Sequence, residues 1–475
     1  MGAWVARLGW ARVAVAAIIF AVVLLSTIDA VAAKYFDDDP FDQEPLVFPL
    51  GPTSLTVNES FPSMHLLLLT AIGFVLVASG SIVLDSVTTA RARHPDWWLL
   101  RPVLPRPPAH ERAAQQESGP LITALIPAHN EAASIGDTLR ALSEQSRPVD
   151  RVVVVADNCS DETAVIARTL GAEVFETVDN VGRKAGALNQ ALAAILPTLT
   201  QADAVLVMDA DTRLSPDYVS HAATLFSNYP RLDAIGGLFY GEPGSGLVGQ
   251  LQRNEYLRYQ LQIRQRRGRV FVLTGTASMF RAEALADVAE ARGSLLPGVR
   301  GEVYDASALT EDNELTIALK SLGSPMVSPQ ECAVETEVMP TWRALWRQRQ
   351  RWQRGAIENL ATYGLTSATA RYWAQQIGIG YGVIALTSAY ALLLITALAV
   401  DTWVWFPFWV VITSVFVVER VVTVWSGGWR ARLVAAPIII EIIYDFYLQL
   451  VFLKCLIEIL RRSNTDWGHV QREAA

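Results

Sequence analysis

The chain has 475 residues, 39 of them basic and 47 acidic, which gives a net charge of -8 at pH 7. An acidic chain without a basic domain is a poor candidate for nucleic-acid binding, because that function needs clustered positive charge. Hydrophobic residues make up 51% of the sequence, and the mean hydropathy of +0.26 is high for a soluble enzyme. The three cysteines, Cys159, Cys332 and Cys455, give neither a disulfide framework nor metal-ligand spacing, and they fit a reduced, cytoplasm-facing domain.

Two apolar stretches near the N-terminus are long enough to span about 30 Å of hydrocarbon. They lie at 13–33, with Asp29 near the far end, and at 66–84, which carries no charge. A cleaved signal peptide is the alternative for the first, because residues 27–36 contain a site resembling a cleavage sequence. The segment between the two stretches is acidic, whereas arginines precede the first and follow the second. The positive-inside rule therefore predicts cytoplasmic flanks and an acidic loop outside.

A region from about 121 to 340 alternates strand-like and helix-like patterns after a proline-rich linker. Its first strand, LITALI, is followed by a helix that places Ile135, Leu139 and Leu142 on one side. Val152–Ala156 form a second continuous apolar run, and AVLVM forms a third. Strands that alternate with helices in this way predict an α/β fold with a mostly parallel sheet and right-handed crossovers.

Acidic residues stand where two of these predicted strands end. Asp157 follows VVVVA, and the sequence DADT, with Asp209 and Asp211, follows VLVM. In parallel sheets, ligands bind at the carboxyl ends of the strands. Two carboxylates at such an end can share Mg²⁺ or Mn²⁺, which typically also holds substrate phosphates. A turn with polar caps is the alternative, but the two strand ends together favour the metal site.

The sequence GRKAGALNQAL places Arg183 and Lys184 in a loop that leads into a helix. Gly182 and Gly186 would allow close approach of the backbone to a ligand. A diphosphate there would meet cationic side chains and the N-terminus of the helix. An ordinary basic loop is the alternative, and the sequence is not a Walker A motif.

Two further segments suggest an acceptor site. In LTEDNELTIALKSLG, Glu311 and Asp312 open a predicted amphipathic helix, where acids stabilise the helix dipole or could serve as a general base. The segment VLTGTASMFR predicts a strand, a turn of small residues and the start of a helix. Its Thr274, Gly275 and Ser278 could line a sugar pocket or simply form a tight turn.

The sequence TWRALWRQRQRWQRG holds five arginines and three tryptophans without an acid. On a helix, Gln348, Arg351 and Trp352 share one face because they stand three and four residues apart. Three residues point to a neighbouring apolar side: Trp342, Leu345 and Trp346. Arg349 falls near the apolar side and so interrupts the separation between the apolar side and the polar faces of the helix. The pattern predicts a helix that lies on a membrane surface and presents its Gln-Arg-Trp face to a neighbour.

Three apolar segments close the chain: Ile377–Val400, Thr402–Val418 and Leu433 to about Leu460. The last carries four charged residues and is the weakest candidate span. Three full crossings would put the basic C-terminal sequence outside, against the positive-inside rule. We therefore expect a cytoplasmic C-terminus, with the last segment bending back or lying partly in the interface.

Taken in order, these motifs resemble those of the processive family 2 glycosyltransferases, the membrane synthases of cellulose, hyaluronan, chitin and poly-N-acetylglucosamine. The resemblance covers PAHNE, VVADNCSDET, GRKAGALNQAL, DADT, TGTAS, TED and QRQRW, over about residues 121–355. The last two motifs together are typical of polymerising members. The family often has Phe-Phe-Cys-Gly-Ser where this chain has VLTGT, so Thr274 replaces a cysteine that belongs to terminal-sugar recognition.

The resemblance implies a GT-A-type domain and a role for each matched residue. The implied nucleotide-sugar-binding residues are Ala128, Glu131, Asp157, Lys184, Asp209, Gln348 and Arg351. Asp211 would bind Mg²⁺ or Mn²⁺ together with Asp209, and Asp312, beside Glu311, would be the catalytic base. The acceptor would contact Trp352, Thr274 and Gly275.

The implied enzyme is an inverting transferase of the bacterial inner membrane that polymerises a β-linked glycan from a UDP-sugar such as UDP-GlcNAc and translocates it. Its partners would be the glycan acceptor, the bilayer and a small accessory membrane subunit, but no nucleic acid. A non-processive transferase to a polyprenyl-phosphate or glycolipid, and a non-catalytic nucleotide-sugar-binding export subunit, are the alternatives. The expected divisions are a first membrane region at 1–33, an acidic loop at 34–61, a second membrane helix at 62–85, a linker at 86–118, the GT-A domain at 119–340, interfacial helices at 341–372 and a C-terminal membrane region at 373–475.

Overall fold

The structure, a computed structural model, describes residues 46–50, 53–57, 119–265, 268, 270–399, 402–405 and 407–461. The two N-terminal predicted spans, the linker and most of the acidic loop lie outside these residues. The chain divides into two compact units. One contains the described strands at 46–57 together with Ile384–Glu419, and the other contains the domain from 119 to Val383 and the segment from Arg420 onward.

The strands of the described residues are β1 (Leu46–Leu50), β2 (Thr53–Val57), β3 (Ile122–Ala128), β4 (Arg151–Ala156), β5 (Glu173–Glu176), β6 (Ala204–Met208), β7 (Arg213–Leu214), β8 (Ala234–Gly236), β9 (Leu238–Gly241), β10 (Ala277–Arg281), β11 (Met326–Val327), β12 (Ala333–Thr336) and β13 (Thr402–Trp405). The helices are α1 (Ile135–Ser143), α2 (Thr163–Thr169), α3 (Arg183–Ile195), α4 (Tyr218–Asn228), α5 (Gly246–Gln265), α6 (Ala282–Ala291), α7 (Glu311–Ser321), α8 (Trp342–Tyr363), α9 (Ala370–Ala399), α10 (Pro407–Thr423), α11 (Gly428–Ala435) and α12 (Ile438–Leu460).

The main sheet has the strand order β11-β8-β10-β6-β3-β4-β5. The four strands β5, β4, β3 and β6 are parallel neighbours. Strand β10 then runs antiparallel to both β6 and β8, and β11 pairs parallel with β8. The predicted α/β domain with a mostly parallel sheet is therefore confirmed.

The central strands are apolar on both faces because the crossover helices of a parallel sheet cover both of its sides. Leu125, on β3, belongs to a buried cluster with side chains of α3, α6 and α7. Ile126, the next residue, belongs to a second cluster with α1 and α4. The side chains predicted to line one side of the first helix, Ile135, Leu139 and Leu142, are buried in that second cluster.

The parallel strands β3, β4 and β6 end at the same edge of the sheet, which brings Ala128, Asp157 and Asp209 together. The start of β10 reaches this edge from the opposite direction, because Ala277 pairs with Met208 at the end of β6. The prediction for VLTGTASMFR was therefore wrong in its order. The strand follows the turn of small residues instead of preceding it, and the helix begins only at Ala282.

A small second sheet has the order β7-β12-β9. Strand β12 pairs antiparallel with β7 and parallel with β9. The residue after β12, Glu337, lines cavities at the carboxyl edge of the main sheet.

The three C-terminal apolar segments differ from one another in structure. Ala370–Ile395 of α9 is long and apolar enough to cross a membrane. The segment predicted as one span at Thr402–Val418 instead begins with β13, whose aromatic and β-branched residues suit a strand. A helix of 17 residues follows, and it starts at Pro407, which is well placed at a helix N-terminus.

The last apolar segment is not one continuous helix. It is divided between α11 and α12, which are bent by 91° relative to each other, and Trp425–Leu460 could form one span only as a broken helix. Pro437 stands immediately before α12, where its missing N–H group is tolerated. The prediction that this segment departs from a simple span agrees with the bend.

Candidate active site

Two cavities adjoin at the carboxyl edge of the sheet. The first has a volume of about 730 Å³ and is lined by the loops after β3, β4 and β6 and by one side of α8. The second, of about 520 Å³, is lined by α5, the turn before β10, the start of α7 and α8. The predicted site residues that line both are Lys184, Asp209, Asp211, Gln348 and Arg351. We call the two spaces the donor cavity and the acceptor cavity.

Asp157 lines the donor cavity at the end of β4 and is held by three side-chain donors. Its carboxylate accepts hydrogen bonds from Thr177 Oγ1 at 2.8 Å, from Asn180 Nδ2 at 2.7 Å and from Asn158 Nδ2 at 3.1 Å. Asn158 has a left-handed backbone conformation, with φ of 50°, which asparagine tolerates better than most residues. This network fixes the orientation of a largely buried acid that faces a ligand-sized space.

Ala128 and Glu131 also line the donor cavity. The carbonyl oxygen of Ala128 accepts the backbone N–H of Asp157 at 2.9 Å, so the two strand ends are tied together. The Glu131 carboxylate accepts a hydrogen bond from Ser134 Oγ at 2.5 Å. The first loop and the end of β4 therefore form one wall of the cavity.

Lys184 connects the acids of the two cavities. Its Nζ lies 2.6 Å from Asp209 Oδ1 and 3.0 Å from Glu311 Oε1. Burial alone would lower the pKa of Lys184, but these carboxylates outweigh it and raise the pKa well above its usual value. Lys184 is thus a fixed positive charge between the end of β6 and the start of α7.

Asp211 stands in a concentration of negative charge. Burial, together with the carboxylates of Asp209, Glu131 and Glu337, raises the pKa of Asp211 to about 7. A divalent cation would offset this surplus charge, and carboxylate oxygens are the ligands that Mg²⁺ prefers. Among the described residues, no group of three or more His, Cys, Asp or Glu side chains is arranged to hold a metal. The acids present fit a cation that takes its remaining ligands from a substrate phosphate and water.

Glu311 and Asp312 open α7 and differ in their electrostatic surroundings. Burial opposes ionisation of Glu311, but Lys184 outweighs it and lowers the pKa of that carboxyl. Burial and the neighbouring charge of Glu311 raise the pKa of Asp312 to about 6, against the opposing effect of Lys184. Asp312 is therefore better matched than Glu311 to accept a proton near neutral pH.

The position of Asp312 is more than that of a helix cap. The N-cap residue of α7 is Thr310, and Asp312 lies within the first turn. Its Oδ1 accepts the N–H of Asn313 at 2.8 Å, and its Oδ2 accepts the N–H of Gly275 at 3.0 Å. The second bond comes from the turn before β10, so Asp312 joins two elements of the acceptor cavity.

Thr274 and Gly275 both line the acceptor cavity. The hydroxyl group of Thr274 lies 2.9 Å from that of Thr276. A Cβ atom added at Gly275 would lie 3.2 Å from Lys184 Nζ and 3.5 Å from Asp312 Oδ2. The small residue at this position leaves room for the charged pair beside it.

Helix α8 contains the whole run from Trp342 to Gly355, as predicted. Gln348 and Arg351 line both cavities, and Trp352 lines the acceptor cavity. The buried Gln348 Oε1 has no hydrogen-bond partner within the described part of the chain. A buried polar atom without a partner is costly, and this one borders a cavity that a polar ligand could fill.

Arg349, which interrupted the predicted partition of α8, has a partner that the sequence did not reveal. Its side chain is buried, and Nη2 lies 2.9 Å from Glu255 Oε2 of α5. The guanidinium also lies over the ring of Trp352, 4.5 Å from its centroid. Arg349 therefore packs Trp352 in place instead of facing solvent.

Several residues of the two cavities were not predicted from the sequence. Glu337 lines both cavities and has no recognisable motif around it. Asn158 directly follows Asp157 in the sequence, which was an available signal. Asn180 is 23 residues from Asp157 and meets it only in the folded structure. The aromatic side of the acceptor cavity comes from residues of β9 and α5 that stand in no recognised motif: Phe239, Tyr256 and Tyr259.

Comparison with known proteins identifies this arrangement. The fold and the acids at the sheet edge define an α/β domain of the glycosyltransferase class, and the model of the family described as "Glycosyltransferase like family 2" matches residues 120–355. The chain belongs to this family through its domain at 120–355, which confirms the resemblance of its motifs to those of family 2 glycosyltransferases.

Two curated relatives are transferases that differ in the product their names give. The chain is 28% identical over 299 residues to a beta-monoglucosyldiacylglycerol synthase of Trichormus variabilis, covering 61% of this chain and 59% of that protein. It is 27% identical over 252 residues to a poly-beta-1,6-N-acetyl-D-glucosamine synthase of Staphylococcus epidermidis, covering 52% of this chain and 56% of that protein. The chain thus spans less than two thirds of the length of these relatives.

Among solved structures, the chain is similar to a mannosyltransferase from Pyrobaculum calidifontis in complex with GDP-Man and Mn²⁺. The TM-score is 0.50 at 17% identity, and the similarity covers 81% of this chain and 99% of that one. At this level of identity the likeness supports the fold.

Proposed function

We propose that the protein is a membrane-bound, inverting glycosyltransferase that moves a sugar from a UDP-sugar to the non-reducing end of a growing β-linked glycan. The observation that carries this proposal is the junction of the two cavities. Asp157 lines only the donor cavity and Asp312 lines only the acceptor cavity, while Lys184, Asp209 and Arg351 line both. A nucleotide in one cavity and an acceptor hydroxyl in the other would meet at the shared residues.

In the proposed reaction, the acceptor hydroxyl oxygen attacks the anomeric carbon while the bond between that carbon and the UDP oxygen breaks. Asp312 accepts the hydroxyl proton, and its own orientation is held by the N–H groups of Gly275 and Asn313. Lys184 keeps Glu311 ionised, and that negative charge favours proton uptake by Asp312. Attack from the face opposite the leaving group inverts the configuration, so an α-linked donor gives a β-linked product.

The donor would be held from two sides. Ala128, Glu131 and Asp157 form the wall where the nucleoside would lie. Gln348 and Arg351, on α8, face the same space and would hold the diphosphate, because an arginine can form two hydrogen bonds with phosphate oxygens. Asp209 and Asp211 would hold Mg²⁺ or Mn²⁺, which when bound offsets the negative charge of the leaving diphosphate.

The acceptor cavity favours a sugar. Trp352 and the aromatic side chains of β9 and α5 line it, and flat rings suit stacking against a pyranose. Thr274 and Gly275 would contact the terminal sugar. The poly-N-acetylglucosamine synthase among the relatives supports UDP-GlcNAc or a similar sugar as the donor.

A second candidate is a single transfer to a lipid acceptor. The relative named beta-monoglucosyldiacylglycerol synthase favours it, because the similarity to that protein covers 61% of this chain. The Gln-Arg-Trp face of α8 at the acceptor cavity favours polymerisation instead. Product size distinguishes the two candidates.

We further propose that the enzyme lies in the bacterial inner membrane with the domain at 119–340 on the cytoplasmic side, where UDP-sugars are available. Helix α9, in the proposed membrane region at 373–475, supports this assignment by its length and apolar composition. The helices at 341–372 would lie at the interface. A small accessory membrane subunit and translocation of the product belong to the same proposal.

Incorporation of radiolabelled sugar by the purified protein tests the proposal. A panel of UDP-sugars would be supplied with Mg²⁺ or Mn²⁺, and the product would be sized and digested with linkage-specific hydrolases. Long polymer that appears with one donor and disappears with chelator is the expected result. A single addition to a lipid would support the second candidate, and no transfer with any donor would contradict both.

A further inference from the structure

Helix α12 exposes a continuous row of large apolar side chains. Seven of them recur every three or four residues and are between 37% and 83% exposed: Ile439, Ile443, Phe446, Leu450, Leu453, Ile457 and Leu460. With about 100° of rotation per residue, they occupy one face of the helix. An exposed apolar face of this length marks a surface that binds a protein or a membrane. We call it the apolar stripe.

The opposite face of α12 packs on α8 along most of its length. Tyr444 is buried in a cluster with Leu345, and Gln350 Nε2 donates to Glu458 Oε2 at 2.7 Å. The carbonyl oxygen of Gln350 also accepts a hydrogen bond from Cys455 Sγ at 3.5 Å. The contacts from Tyr444 to Glu458 extend over about 20 Å of helix. The two helices therefore lie side by side and share one depth relative to any membrane.

The depth that α8 and α12 share corresponds to the surface of the bilayer. Helix α8 carries five arginines within residues 341–355, and it lines the water-accessible cavities of the active site. Such a helix is excluded from the hydrocarbon core by the cost of burying its charges. Glu441, on α12, is likewise paired with a cation of the catalytic domain, since Arg258 Nη2 lies 2.8 Å from its Oε1. Helix α12 therefore has to run along the bilayer and not across it.

A cationic groove lies beside the apolar stripe, at the seam between α8 and α12. This space of about 520 Å³ is lined by Trp342, Arg343, Trp346, Arg347, Gln350, Tyr447 and Lys454. Arg343 and Arg347 are exposed and form no ion pair within the described part of the chain. Lys454 lies 3.6 Å from Glu458, so the groove keeps an excess of positive charge.

We propose that α12 is an in-plane membrane helix and that the cationic groove binds the phosphate of an anionic phospholipid. The acyl chains would follow the apolar stripe, because Tyr447 and Lys454 lie between the stripe and the packed face of α12. The aromatic rings of the groove suit the headgroup layer. This inference rests on the proposed membrane location, and it adds that lipid holds α8, with its Gln-Arg-Trp face, at the bilayer surface.

Depth measurements along the apolar stripe test the orientation without requiring turnover. Spin labels would be placed singly at residues 439, 446, 453 and 460 of the full chain, after Cys159, Cys332 and Cys455 are replaced by serine. In nanodiscs of phosphatidylcholine and phosphatidylglycerol, the four labels should show the same high access to oxygen and low access to a water-soluble nickel complex. A label at Leu295, which is exposed on the catalytic domain, should show the reverse.

Two results would overturn the orientation. A depth that changes steadily from residue 439 to residue 460 would mean that α12 crosses the membrane. The other contrary result combines low oxygen access at all four positions with spin–spin broadening that depends on the number of chains in each nanodisc. It would mean that the apolar stripe binds a second copy of the chain. Failure of the glycosyl-transfer proposal would leave these depths unchanged, so the two outcomes are distinguishable.

Lipid binding tests the groove. The full chain in detergent would be titrated with short-chain phosphatidylglycerol, and the double variant Arg343→Gln with Lys454→Gln should bind it at least fivefold more weakly. Arg140→Gln, a surface arginine of the catalytic domain, is the matched control and should bind normally. Equal affinity in the double variant and the control would refute the site. Displacement of the lipid by millimolar inorganic phosphate would also refute it as a phospholipid site.

Discussion

Asp312 combines a raised pKa with a fixed orientation, and both follow from its neighbours. The N–H groups of Gly275 and Asn313 aim its carboxylate, and burial together with Glu311 favours its protonated form. The substitution Asp312→Asn keeps the shape of the side chain and one oxygen acceptor but removes the ability to take a proton. We expect a folded protein with turnover reduced by about 10²–10⁴-fold, the usual loss of a general base.

Turnover and UDP-sugar affinity of Asp312→Asn would be measured in the same detergent. The matched control is Asp137→Asn, which changes a half-exposed acid in the first turn of α1, outside both cavities. Affinity should be retained in both variants. Turnover near the normal rate in Asp312→Asn would assign this residue to helix stabilisation alone.

The pH dependence of turnover follows from the same electrostatics. A general base acts in its unprotonated form, and the pKa of Asp312 is raised to about 6 by burial and by Glu311. The rate should therefore be constant well above pH 6 and fall about tenfold per unit below it. In Glu311→Gln, the repelling charge is lost while Lys184 remains, so the acidic limb should move to lower pH. A limb that stays at the same pH in Glu311→Gln would contradict the assignment.

At the scale of elements, α8 and α7 are joined by hydrogen bonds and close packing beside Asp312, the proposed base. Asn359 Nδ2, on α8, donates to the carbonyl oxygen of Thr310 at 3.2 Å and to Asn313 Oδ1 at 3.1 Å. Gly355 packs against the same threonine, since a Cβ atom added there would lie 2.5 Å from Thr310 Oγ1. The helix that carries the Gln-Arg-Trp face is therefore held in a fixed position against the residues that flank Asp312.

This packing predicts that Gly355→Ala disturbs the site more than it disturbs the fold. The added methyl group must displace Thr310, and with it the start of α7, so we expect turnover to fall at least tenfold with UDP affinity little changed. Gly378→Ala is the control, because a methyl group at that position of α9 meets no atom within 4 Å. Both changes gain about 0.5–1 kcal/mol of helix propensity. Equal turnover in the two variants would show that the contact with Thr310 is unimportant.

The two tryptophans of α8 allow a comparison within one helix. Trp352 lines the acceptor cavity beneath Arg349, whereas the ring centroid of Trp346 lies 5.3 Å from that of Tyr447 on α12. We expect Trp352→Ala to abolish elongation while UDP affinity survives, and Trp346→Ala to reduce stability or membrane association. Polymer yield, UDP affinity and melting temperature of both variants provide the check. Similar losses of yield in both would mean that Trp352 has only a packing role.

Features set by a single strand or helix could be predicted from the sequence, whereas contacts between distant elements could not. The acids after VVVVA and VLVM were predictable because parallel strands end at one edge, and the face of α8 was predictable from helical spacing. The order of VLTGTASMFR was not, because β10 is antiparallel and its pairing with β6 is a tertiary fact. The partner of Arg349 was hidden for the same reason, since Glu255 lies 94 residues away. The positive-inside rule led to the prediction that the last segment departs from a simple span, but the position of the break, just before α12 at Pro437, was not predicted.

At the scale of the whole molecule, the paired strands β2 and β13 constrain the membrane topology. Thr402–Trp405 pairs in parallel with Ser54–Val57, so these two segments lie on the same side of any membrane. The first belongs to the link between α9 and α10, and the second to the acidic segment predicted to be outside. If α9 and α10 cross as a pair and α12 runs along the surface, the predicted crossings number four with the two N-terminal stretches. Both termini then lie on the cytoplasmic side, as the positive-inside rule requires.

Labelling of intact cells tests this topology. A cysteine introduced at Asp38, in the acidic segment, should react with a membrane-impermeant thiol reagent, because this segment is expected outside. Cysteines introduced at Gln115 and at Ser463 should react only after the cells are opened, because both are expected beside the catalytic domain. The Cys159, Cys332 and Cys455 positions would be serine in all three variants, and an unmodified background would give the blank. Labelling of Gln115→Cys from outside would reverse the orientation of the catalytic domain. Labelling of Ser463→Cys from outside, with Gln115→Cys protected, would mean an odd number of crossings and hence that α12 spans the membrane.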